Sequence, residues 1–252
     1  MILKKAHITK FKCINDSTNF ALEDDVTCLV GKNEAGKTAI LEALYKLKPV
    51  NDKDSKFDYV REYFKPEMLD YERVHEKSPA PVVSVIWKLE EEDHKALEAV
   101  IGAAAARKIV TVTTTKRWNN KVYVDIPLGE AEIIQDLLKT SDIEAKDRPK
   151  FKAANTVQEL ITQLSATPEE QQQRAALIQS IKDRFGSKTA LESVKELIWK
   201  RVPRFAFFSQ YLRMPGQLAV DHFKQRVAAG QQTDEDKVFT SLLELIGMSV
   251  EA

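Results

Sequence analysis

Residues 31–38 read Gly-Lys-Asn-Glu-Ala-Gly-Lys-Thr, and no other stretch restricts the fold as much. The spacing G-x-x-x-x-G-K-[ST] has a mechanical meaning. The loop must close around phosphate oxygens and aim several backbone N–H groups at them, and glycine permits the approach and the positive φ angles this needs. The cradle is Gly31, Lys32, Asn33, Glu34, Ala35, Gly36, Lys37, Thr38 and Ala39. Lys37 reaches the β- and γ-phosphates and the Thr38 hydroxyl ligates Mg²⁺. The loop needs a strand before it and a helix after it. Val26-Thr27-Cys28-Leu29-Val30 is apolar and β-branched, as a buried parallel strand is. Ile40, Leu41, Leu44 and Leu47 recur at helical spacing, with Pro49 beyond the end. The expected fold class is therefore α/β, and ATP with Mg²⁺ is the expected cofactor set.

The rest of the chain departs from a simple strand–helix alternation. Ile2–Ile8 and Asn19–Leu22 read as strands leading to the motif strand, and residues 50–80 read as a loop-rich connection with scattered aromatics and short helical pieces. Pro81–Leu89 is a strong strand, followed by a helix over about 93–106. Ile109–Lys116 and Lys121–Ile126 then form a hairpin around Asn119-Asn120. From 130 to 200 four apolar faces recur at helical spacing, on Ile133/Leu137, Val157/Leu160, Leu177/Ile181 and Val194/Ile198, with Thr167-Pro168 a further helix start. Arg204–Ser209 returns to strand character, Pro215-Gly216 is a turn, and a last helix runs from about Asp234 to Ile246 with Thr233 as N-cap. The expected division is 1–129, a P-loop core with an antiparallel β subregion; 130–200, a helical insertion; and 201–252, a return to the core.

Lys+Arg and Asp+Glu both number 38, so no global charge points to nucleic acid or away from it. Two cysteines, Cys13 and Cys28, make neither a disulfide framework nor a zinc site, and the four histidines have no metal-ligand spacing. The start is no signal peptide and no apolar run spans a membrane, so the expected setting is cytoplasmic. Trp87, Trp118 and Trp199 read as packing residues, and the basic segment Lys116–Lys121 is most simply a solvated hairpin tip, a contact to a nucleic-acid backbone being the other reading.

The first fifty residues resemble the N-terminal part of SMC/RecF-like ATPases, a branch of the ABC-type heads. The resemblance lies in the opening strand, "FKCINDSTNF" (11–20) and "VTCLVGKNEAGKTAILEAL" (26–44), with Asn33 and Ile40-Leu41-Glu42-Ala43-Leu44 at matching places. The stretch "PRFAFFSQYLRMPGQLAV" (203–220) is similar to a segment of the OLD-family (overcoming lysogenization defect) ATPase/nucleases. The resemblance implies an ABC-ATPase-like half, a basic contact to nucleotide from Lys12, and a Q-loop glutamine at Gln210 that senses Mg²⁺ and the γ-phosphate. With Lys37, Gln210 is the expected catalytic residue, and with Thr38 it is the expected metal ligand. It also implies head-to-head homodimers in a full-length protein, and DNA as partner in repair or phage defence.

A complete head also carries a signature segment, a Walker B strand ending in Asp-Glu and a switch histidine. None is found after residue 210, so the expectation is an N-terminal portion that binds nucleotide but does not complete hydrolysis alone. Two other readings stand beside it. One is a separate P-loop NTPase or kinase with Asp125 or Glu90 as metal acid. The other is a non-catalytic interaction module that docks a partner on 130–200.

Overall fold

The computed structural model describes residues 1–75, 78–141, 143, 147–151, 154–166, 171–208 and 217–250. Its organising element is a six-stranded antiparallel sheet. Strand β1 (Ile2–Phe11) pairs with β4 (Pro81–Lys88), β4 with β5 (Thr111–Arg117), and β5 with β6 (Val122–Asp125). Short strands β2 (Ile14–Asp16) and β3 (Phe20–Ala21) share the other side of β1. The sequence produces this directly. Val82, Val83, Val85 and Trp87 make β4 apolar on both faces, and all four are buried, as a central strand requires. The Trp87 indole N–H donates to buried Thr114 on β5 at 2.8 Å, so neither polar group is orphaned.

Helix α1 (Lys37–Leu47) lies on β1 and β4 and buries Ala39, Ala43, Leu44 and Leu47. The 50–80 connection carries short helical pieces, as expected. It forms 3₁₀ turns and the short helices α2 (Tyr59–Glu62) and α3 (Tyr71–His75). Their aromatics gather with Phe11 and Phe57 around Trp118. Trp118 is 5 % exposed, a packing residue as expected, and the solvated part of the tip is confined to its outer residues, Asn119 and Lys121 among them. Lys116 is drawn in with it. Its ammonium donates to the Lys46 carbonyl at 2.7 Å and to the Ser55 carbonyl, with no carboxylate beside it. Burial, with Lys46 nearby, pushes its pKa down to about 8.

The helix expected over 93–106 is two. Helix α4 (Glu91–Ile101) ends at Gly102, φ 86°, and α5 (Ala103–Lys108) restarts beyond it. Gly102 is needed there, because a Cβ would run into the Asp136 carboxylate. The insertion is helical as expected. It contains α6 (Glu130–Thr140), α7 (Val157–Ala166), α8 (Gln171–Phe185) and α9 (Ala190–Arg201). Glu130 fastens three of these together: its Oε1 accepts from the Val157 N–H at 2.9 Å and the Ala190 N–H at 3.2 Å, the first residues of α7 and α9. The expected start at Thr167-Pro168 lies outside the described residues.

Two expected strands are absent. Residues 26–30 form no ladder, and Val26 and Val30 are 74 % and 94 % exposed. Strand composition does not by itself supply a hydrogen-bonding neighbour. Of the expected 204–209 strand, the described residues 204–208 make one parallel bridge, Phe205 to Pro49. It is anchored by Lys48, which donates to the carbonyls of Trp199 (2.7 Å) and Val202 (2.5 Å) at the end of α9. Burial and the Arg204 charge hold the Lys48 pKa at about 8. Helices α10 (Val220–Ala228) and α11 (Asp234–Leu245) complete the fold, Thr233 capping α11 by accepting from the Asp236 N–H at 3.1 Å. The expected Pro215-Gly216 turn lies outside the described residues. Among the described residues no helix is long and apolar enough to cross a membrane.

Candidate functional site

The 31–38 loop opens onto the N-terminus of α1. Gly36, at φ 88° and ψ 8°, is the residue before the helix, and no side chain caps the first turn. The unpaired N–H groups and the positive dipole end therefore face outward, which suits an anion. A Cβ on Gly36 would lie 3.2 Å from Ile14 and 3.3 Å from the Cys13 sulfur, so backbone freedom and tight packing both require glycine. Glu34 also takes a left-handed conformation, φ 66°. A β-carbon there costs about 1–2 kcal/mol. Strain of this kind collects where a loop is shaped for a ligand.

Lys37 folds back over its own loop, its ammonium donating to the carbonyls of Gly31 at 2.7 Å and Lys32 at 2.6 Å. Thr38 is exposed in the first turn of the helix. Lys12 follows β1 at φ 53°, its N–H donating to the Glu62 carbonyl at 2.6 Å, and its ammonium pairs with Glu42. These groups line one cleft of about 370 Å³, formed by Lys12, Cys13, Asn33, Glu34, Gly36, Lys37, Thr38, Ala39 and Glu42.

Most of the expected site is thus assembled. Lys12, Asn33, Glu34, Gly36, Lys37, Thr38 and Ala39 line the cleft, and Gly31, Lys32 and Ala35 complete its loop. Gln210 lies outside the described residues. Two cleft residues were not singled out from sequence, Cys13 and Glu42. For Glu42 a signal existed: it stands four residues after Thr38, which puts both on one face of α1.

The uncapped helix end, the two left-handed positions and the two lysines fit a polyphosphate, and the exposed Thr38 hydroxyl fits its Mg²⁺. Among the described residues no group of three or more His, Cys, Asp or Glu side chains is placed to hold a metal. Asp125 and Glu90 stand elsewhere. Asp125 lines a separate cleft of about 510 Å³ between β6 and α9, with Tyr123, Lys195, Glu196 and Trp199. Glu90 precedes α4 and pairs with the Met1 ammonium at 2.5 Å.

No curated protein matches the chain. Among solved structures, one from work on the ATP-driven dimerization and DNA-stimulated activation of SMC ATPases aligns with 72 % of this chain and 99 % of its own, at 15 % identity and a TM-score of 0.29. Likeness at that level does not establish a shared fold. The family profile for the AAA ATPase domain matches residues 1–205. By that match over most of its length, the chain belongs to the AAA ATPase domain family.

Proposed function

We propose that this chain binds ATP with Mg²⁺ in the 31–38 loop and serves as the nucleotide-binding portion of an SMC/RecF-like ATPase, nearest the OLD family, that acts on DNA in repair or phage defence. The observation that carries the nucleotide reading is the open cleft at the uncapped end of α1, with Lys37 and Thr38 in it. Lys37 and the loop N–H groups would hold the phosphates, Thr38 the Mg²⁺, and Lys12 would add a second positive charge. Bound Mg²⁺ supplies charge neutralisation on the phosphates. The SMC/RecF and OLD readings, and with them DNA, rest on the motif resemblance. The two unpaired cysteines suit a reducing, cytoplasmic setting.

Hydrolysis needs more than this cleft holds. Its carboxylates are Glu34 and Glu42, and Glu42 is engaged by Lys12. The acid pair that would complete the metal site and orient water has to come from another segment, and in ABC-type heads the signature segment of a second protomer also closes the site on ATP. Calorimetric titration with Mg·ATPγS, wild type against Lys37→Ala, together with an ATP turnover assay, tests the proposal. Binding lost in the variant and negligible turnover in both supports it. Equal binding by the two proteins overturns the nucleotide site. Turnover at ordinary enzyme rates overturns the incomplete engine, and its loss in Asp125→Ala would point to the separate-NTPase reading.

A further inference from the structure

The nucleotide cleft carries its own anion. Thr38 and Glu42 occupy one face of α1, and Glu42 reaches the ammonium of Lys12, 30 residues away along the chain. Neither member is fully exposed: their side chains are 36 % and 26 % accessible. The Lys12 backbone is fixed by its N–H bond to Glu62 and by its place at the end of β1, so only the side chain is free to choose a partner. The cleft's formal charges balance, Lys12 and Lys37 against Glu34 and Glu42. Both lysines are occupied by protein oxygens, Lys37 by two carbonyls and Lys12 by a carboxylate.

We propose that the Lys12–Glu42 ion pair is a charge gate in this cleft: Lys12 exchanges the Glu42 carboxylate for the nucleotide's phosphates, and the released Glu42 opposes the anion that enters. This rests on the nucleotide reading above. A half-screened ion pair is weak enough for a polyphosphate to displace. The released Glu42 carboxylate then stands close to the bound anion and opposes it, more strongly as the local dielectric falls. Breaking the pair costs the same whichever ligand enters, whereas the repulsion grows with the charge placed beside Glu42. The gate therefore lowers affinity for every anion that engages Lys12, and lowers it most for the most highly charged.

The test is calorimetric titration of the full chain with the Mg²⁺ complexes of ATPγS and ADP and with AMP, on wild type, Glu42→Gln, Lys12→Met, the double variant and Lys37→Ala, with thermal melts of each. Glu42→Gln is expected to bind ATPγS roughly 3- to 10-fold more tightly, as removal of one partly screened like charge allows. The gain is expected to be no smaller for ATPγS than for AMP. Lys12→Met is expected to bind ATPγS more weakly than wild type, and the double variant to recover part of that loss. Unchanged or weaker binding by Glu42→Gln, with an unaltered melt, would overturn the gate and leave Glu42 a simple anchor for Lys12. A larger gain for AMP than for ATPγS would overturn the opposition of Glu42 to the entering charge. If Lys37→Ala binds as wild type does, the failure belongs to the nucleotide site itself and not to the gate.

Discussion

Replacing Glu130 with alanine should unfasten the helical insertion without touching the nucleotide cleft. One carboxylate oxygen serves two helix starts, α7 through Val157 and α9 through Ala190, at 2.9 and 3.2 Å. An N-terminal cap is worth about 1 kcal/mol, within a range of roughly 0.5–2. Val157 and Ala190 are both 0 % exposed, so water cannot easily replace the lost acceptor, and each N–H is left buried and unpaired. Two caps near the upper half of that range give a loss of about 2–4 kcal/mol. That is a large share of the roughly 5–15 kcal/mol that holds a domain folded. Urea denaturation followed by circular dichroism reads the change as a lower midpoint at constant slope. Glu130→Gln keeps an oxygen and loses the charge, so it should cost less than half as much. Under conditions where the variant is folded, Mg·ATPγS affinity should match wild type. A loss below about 0.5 kcal/mol for alanine, or glutamine as damaging as alanine, would refute the shared-cap account.

Four further outcomes are expected. Gly36→Ala should abolish nucleotide binding and cost about 1–2 kcal/mol of stability, from its left-handed φ of 88° alone; titration and melting measure the two effects separately. Lys116 has a folded pKa of about 8, below its unfolded value near 10.5, so its burial penalty is complete below pH 8 and relieved as pH rises to 10.5. Wild type should therefore gain up to about 3 kcal/mol over that window relative to Lys116→Met, read as the difference between two urea series. Val30→Asp should leave the melting temperature of this chain within a degree or two, since Val30 is 94 % exposed; a large fall would show that residues 26–30 are buried after all. Gly102→Ala should destabilise by at least about 1–2 kcal/mol, because φ is 86° and the new methyl meets Asp136.

Much of this architecture is legible from periodicity. The run 81–89 is apolar on both faces and became the central strand β4, and Ile133, Ile134, Leu137 and Leu138 became the buried face of α6. The phosphate loop is legible for a stronger reason, because few backbones satisfy a glycine pair, a lysine and a threonine at that spacing. What failed was context-dependent. Val26–Val30 has strand composition, but composition does not supply a hydrogen-bonding neighbour. Trp118 is legible as a packing residue but its partners are not, because the aromatics of 57–71 lie scattered in sequence and meet only in three dimensions. Gly102 divides the expected helix, and the carboxylate that bars a side chain there is 34 positions away. In the site, Lys12 was reached by resemblance, whereas its partner Glu42 needed the fold to bring β1 against α1.

The attachment of Lys48 gives α1 the properties of a lever. Its 11 residues span about 16 Å at 1.5 Å per residue. The phosphate cradle is at one end. At the other, Lys48 grips the last carbonyls of α9, and Val50 and Phe205 share a backbone bond of 2.9 Å. A rod pinned this way moves its ends together. A tilt of about 10° at the cradle displaces the far end by about 3 Å over that length, more than the Lys48 bonds can stretch, so α9 and the chain leaving it at 203–208 must travel with it. The joint lies at the last turn of α9, whereas Glu130 holds its first residue, so the two attachments act on opposite ends of that helix.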